Sequence, residues 1–149
     1  MKLNPDCIRD IMLFCEKYTY IKTDEVGNLL GASYHVLYAS EMRKLPPLNS
    51  YDAGELIYHI IQLVESGYLA SDFRFDPLNN FRHGDTPKIY YVTPKGHEFI
   101  ASIEEKKNWA KTKKVLGAIG SVSLSVIETI SKGVATVVIE KAMAQVPEG

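Results

Sequence analysis

Three features of this 149-residue chain predict an α+β fold, a winged helix-turn-helix with additional C-terminal helices. An amphipathic helix spans roughly residues 52–66 and stops at Gly67. Two extended runs then flank a polar loop, and a further helix opens at Thr93-Pro94. This is the order of elements in the second half of a winged helix.

Taken in order, Asn4-Pro5 is a helix start, because Asn caps orphan amides and Pro tolerates the first helical position. Ile8, Ile11, Met12 and Cys15 recur at helical spacing, so the first helix is expected over 5–17, with Leu3 stapling its entry. TYIK is extended or a turn. In residues 24–50 the glycines break helical periodicity, YHVLYA reads as a short strand, and Pro46-Pro47 ends what precedes it. This region is expected to hold the strand that closes the sheet and a short helix, in either order.

The helix at 52–66 has Ser50 or Asp52 as its cap, with Glu55 in capping-box position and a broad apolar face of Leu56, Ile57, Ile60, Ile61, Leu63 and Val64. Its opposite stripe, Asp52, Glu55, His59, Gln62 and Ser66, is expected to face outward. Strands are expected over 68–75 and 88–92 around the loop DPLNNFRHGDTP. Helices follow at about 95–103 and 104–116. Residues 1–103 therefore form the winged-helix-like domain and 104–149 a helical extension. The apolar run in 121–145 is interrupted by Glu128, Lys132 and Gly133, so it does not read as a membrane span. It is expected to pack on the body or on a second subunit, making 121–145 the contact of a homo-oligomer such as a dimer.

Composition narrows the function. A hydrophobic share of 46% supports a full core, while a net charge of -1 argues against a protein held on DNA by bulk charge. Cys7 and Cys15, eight positions apart on one helix, lie too far apart to bridge within it. With no targeting signal at the start, the expected compartment is the cytoplasm. The four histidines show no metal-ligand spacing, and no phosphate loop or nucleophile elbow occurs. No enzyme activity, cofactor or metal is therefore expected. His97 is expected to make a structural hydrogen bond.

The residues that would meet nucleic acid fall into two groups. On the helix at 52–66, His59 and Gln62 are the least unfavourable base readers, since no Lys or Arg occurs between Lys44 and Arg74. Phosphate contacts would come from Arg74, Arg82 and Lys88 around the loop and from Lys106, Lys107 and Lys111 near Trp109. Those lysines read equally well as a solvated helix face, with Trp109 as an anchor to the core.

Three segments carry a resemblance: MKLNPDCIRDIMLFCE, DAGELIYHIIQLVESGYL and TPKGHEFIASIEEKKNWAKTKKVLGAIGSVSLSVIETISK. They resemble a family found in phages and prophages and classed as a domain of unknown function. Tyr58-His59, Gly67, Gly96-His97-Glu98-Phe99 and Trp109 match its recurrent positions, and residues 22–50 match poorly. The YHxxxLxxxGxL pattern also resembles the third helix of bacterial winged-helix repressors. The resemblance implies a phage or prophage origin and names no catalytic site. Two readings follow: a transcriptional regulator that binds double-stranded DNA, or a protein-interaction module acting on a host or phage protein, such as a host factor or defence system.

Overall fold

The computed structural model describes residues 1–34, 36–72 and 87–147. Helix α1 (Pro5–Tyr18) starts where Asn4 accepts hydrogen bonds from the amides of Asp6 and Cys7, with Pro5 in the first turn. It buries Cys7, Ile8, Ile11, Met12, Phe14 and Cys15, and packs against α3, α4 and β6, which makes it the centre of the core. The Thr19 amide and hydroxyl both donate back to the Cys15 carbonyl and close the helix.

Next comes an antiparallel hairpin of β1 (Ile21–Thr23) and β2 (Leu29–Tyr34). Asp24 organises its turn by accepting from the amides of Val26 and Asn28, and Gly27 takes a φ of +91° there. The sequence reading placed no hairpin here. The hairpin leaves Ile21, Val26, Leu29 and Leu30 exposed.

The order left open in residues 24–50 is strand before helix: β3 (Leu37–Tyr38) leads directly into α2 (Ala39–Met42). After a 3-10 turn at Leu48–Ser50, α3 (Ala53–Glu65) begins at Asp52, whose carboxylate accepts from the amides of Gly54 and Glu55. Gly67, at φ +83°, ends the turn that follows. Strands β4 (Leu69–Ala70), β5 (Lys88–Ile89) and β6 (Tyr91–Val92) make two antiparallel pairings, β3 with β5 and β4 with β6. Tyr90 alone separates β5 from β6, and its amide donates to Ala70 O at 2.9 Å. Of the strand expected over 68–75, only residues 69–70 are paired, and 73–75 lie outside the described residues.

Helix α4 (Pro94–Ile103) is capped by the Thr93 hydroxyl. A side chain at Gly96 would place its Cβ 2.2 Å from Tyr68 O and 2.7 Å from Val92 Cγ1, so this close contact of α4 with the strands needs glycine. Tyr68 packs on Phe99 with ring centres 5.0 Å apart. Helices α5 (Lys106–Ile119) and α6 (Leu124–Ala144) follow, capped by Glu105 and Ser123.

The first half of α6 is seated on α4 and α5. Leu124, Ile127 and Ser131 are buried, and the Ser131 and Ser102 hydroxyls meet at 2.8 Å. The Tyr68 hydroxyl donates to Glu128, and Lys132 bridges Glu128 at 2.7 Å and Glu98 at 3.6 Å. From Thr136 to Pro147 every residue is exposed, including Val137, Ile139 and Met143. The result is an α+β fold of several helices with small two-stranded sheets among the described residues. No helix of those residues is long and apolar enough to cross a membrane.

Candidate interaction surfaces

The polar stripe of α3 does not face outward as expected, and this corrects the placement of His59. Its side chain is 0% exposed. Nε2 accepts from the Asn4 backbone amide at 2.8 Å, and Nδ1 lies 2.7 Å from Glu55 O. An acceptor at Nε2 puts the proton on Nδ1, so the neutral ring satisfies both atoms inside the protein. Glu55 joins the same knot, accepting from the Asn4 side-chain amide at 2.9 Å. Both residues hold the start of α1, and a base edge has no access to His59.

Gln62 remains half-buried. Gly54, Tyr58, Ile61 and Glu65, at spacings of four, three and four, share the face that α3 leaves open or only partly covered. It carries an aromatic ring, an aliphatic side chain and a carboxylate, with no cation.

Helix α5 is built the opposite way round. Trp109, Thr112 and Leu116 are buried. The indole N–H donates to Asp6 Oδ1 at 2.9 Å, and Lys113 reaches Asp6 Oδ2 at 2.9 Å. Burial alone would raise the Asp6 carboxyl, but the hydrogen bonds from Trp109 and Lys113 outweigh it and hold the group below its ordinary 3.8. Arg9 lies 6.0 Å from the Trp109 ring centre and donates to the carbonyls of Ile103 and Glu104 at 2.7 and 2.6 Å, closing the end of α4. The indole anchor expected from sequence is what the fold contains.

With its inner side fixed, α5 turns Lys106, Lys107, Lys111 and Lys114 to solvent, and none has an ion-pair partner among the described residues. Lys88 sits apart from them on β5, half-buried, its ammonium 5.8 Å from the Tyr38 ring centre. Arg74 and Arg82 lie outside the described residues.

Burial pushes the Cys7 and Cys15 thiols up to about 12, which keeps them protonated and unreactive near neutral pH. Among the described residues, no three His, Cys, Asp or Glu side chains are placed to hold a metal ion. The His97 ring is exposed, with Nδ1 3.6 Å from Glu16 Oε2, and among the described residues it does not make the structural hydrogen bond expected.

That pair marks a feature the sequence reading missed. A groove of about 320 Å³ opens where Glu16 of α1 and the following Thr19 and Tyr20 meet Ile21 of β1, Tyr91 and Val92 of β6, and His97 of α4. Its walls come from two stretches of chain about seventy positions apart, 16–21 and 91–97, so no local motif announces it.

A protein-family profile described as a hypothetical protein (DUF2513) matches residues 2–123. The chain belongs to the DUF2513 family. This agrees with the phage-associated family of unknown function that the motifs resemble. Within the matched DUF2513 segment lie the His59 knot, Gly96 and the Trp109 anchor; α6 begins just beyond it. No curated protein and no solved structure matches the chain.

Proposed function

We propose that this DUF2513 protein is a non-enzymatic protein-interaction module on a winged-helix scaffold, presenting α3 to a host or phage protein. Support for the scaffold comes from the order α1, β3, α2, α3, β4 and β5–β6, and from the β3–β5 and β4–β6 pairings on either side of Tyr90. The hairpin is then an insertion between α1 and β3. Scaffold alone does not set function.

The observation that carries the reading is the open face of α3. A helix that reads a major groove presents Arg, Lys, Asn or Gln to bases and tolerates nearby phosphates. Here the open face is Tyr58 and Ile61 beside Glu65, and His59 is withdrawn to the core. Aromatic and aliphatic groups suit a protein contact, where Tyr is enriched.

To test it, a photo-crosslinking amino acid is placed at Ile61 and the protein exposed to host lysate, while anisotropy follows binding to random-sequence duplex DNA at two salt concentrations. The expected result is a discrete crosslinked band, competed by unlabelled protein and weakened by Tyr58→Ala, with no salt-steep DNA binding. Micromolar duplex binding that collapses with added salt, together with no specific band, overturns it.

The exposed lysines of α5 favour a second reading, a DNA-binding transcriptional regulator. Lys106, Lys107 and Lys111 would contact phosphates, with Lys88, Arg74 and Arg82 from the strand-loop side and Gln62 as the remaining base reader. That reading requires duplex binding to weaken uniformly across sequences when Lys107 and Lys111 become Glu.

A further inference from the structure

The groove at the end of α1 combines three properties that select one kind of occupant. Its walls are largely aromatic and aliphatic, from Tyr20, Ile21, Tyr91 and Val92. It holds one carboxylate, Glu16, whose partner among the described residues is the exposed His97 ring, with Nδ1 3.6 Å from Oε2, too long for a good hydrogen bond and leaving the carboxylate able to accept two more. It also opens at the C-terminal end of a 14-residue helix, where the aligned peptide dipoles leave partial negative charge.

Apart from His97, which already lies against Glu16, the neighbouring cations are directed elsewhere. Lys17 lies over the Tyr18 ring at 5.2 Å, and Lys95 donates to Ser66 O at 3.1 Å while sitting over the Tyr68 ring. Apolar walls with a negative floor attract a cation on an apolar stem. At about 320 Å³ the space is at the small end of ligand sites, the size of one side chain rather than a cofactor.

We propose that this groove receives an arginine side chain of a protein partner. The stem lies along Ile21 and Val92, and the guanidinium donates to Glu16. Arginine fits better than lysine because its planar head is weakly hydrated, stacks on aromatic faces and engages a carboxylate with two parallel hydrogen bonds. This deepens the interaction-module reading and rests on it, although the groove and the open face of α3 involve different residues.

Backbone amide NMR shifts of the full chain are followed during titration with butylguanidinium, butylammonium and valerate. Butylguanidinium is expected to give saturable, millimolar shifts confined to Thr19, Ile21, Val92 and His97, and butylammonium weaker ones at the same amides. Valerate is expected to give none. Glu16→Gln should weaken butylguanidinium binding about tenfold, as loss of one charge-assisted pair implies, with amides outside the groove unmoved. Absence of groove shifts, equal shifts in the Gln variant, or equal response to valerate overturns the proposal. The crosslinking result at Ile61 is independent of all three, so the groove can fail while the interaction reading stands, and the reverse.

Discussion

Helices α3 and α5 both repeat polar residues every three or four positions, and they use the pattern in opposite ways. In α3 the polar pair Glu55 and His59 turns inward to hold the start of α1, leaving Tyr58 and Ile61 partly open. In α5 the aromatic residue turns inward and the lysines stay in solvent. The difference teaches that a polar stripe marks a constraint without saying on which side of the helix it acts. Asn4 and Asp6, two positions apart, decide both cases: one receives α3 and the other receives α5.

The contrast breaks most visibly at Trp109. Trp109→Ala is expected to destabilise the protein by about 3–5 kcal/mol, from lost burial and a cavity beside α1. Urea unfolding followed by circular dichroism measures it. His59→Ala comes next, at about 2–3 kcal/mol, since the Asn4 amide is left buried without an acceptor and an aromatic ring is lost. If His59→Ala were nearly neutral, the inward reading of α3 would fall, and a solvent-facing histidine would return as a base reader.

These two residues also show what the sequence disclosed. The caps at Asn4, Asp52, Thr93 and the stop at Gly67 are local chemistry, so α1, α3 and α4 were legible to within a residue or two, while α5 runs three residues beyond the expected 104–116. Trp109 was legible because a large apolar residue among lysines has few other roles. His59 was not, because its partner is 55 positions away and an inward-capping polar pair has the same spacing as a solvated one. The hairpin was obscured in the same way: its signal, Asp24 through Gly27 to Asn28, is a turn signal that reads only as a broken helix when helices are sought. The groove, assembled from two stretches about seventy positions apart, has no sequence signature at all.

A subtler test uses pH. The Asp6 carboxyl is held below 3.8 in the folded protein, so its contribution is fully present above the ordinary carboxylate range. As pH falls through the folded value the carboxylate protonates, and the grip on Trp109 and Lys113 is lost. Trp109 is the single tryptophan, so its emission reports the event directly. The wild-type protein is expected to lose stability relative to Asp6→Asn between about pH 7 and pH 5 not at all, and progressively below pH 4. A constant difference down to pH 2 would mean that Asp6 acts through shape rather than charge.

The smallest effect on the fold is expected from the outer side of α5. Lys107→Glu and Lys111→Glu together should change stability by no more than about 0.5 kcal/mol, because both side chains are exposed and unpaired among the described residues. The same double variant separates the two functional readings more sharply than any core substitution does. Lysines that merely solvate a helix leave crosslinking at Ile61 intact after reversal, and give no duplex binding to lose. Lysines that carry phosphate contacts leave the fold equally intact but show salt-steep duplex binding in the wild-type protein that the variant lacks. Since stability is unchanged in both cases, the loss or persistence of a binding signal belongs to the surface itself.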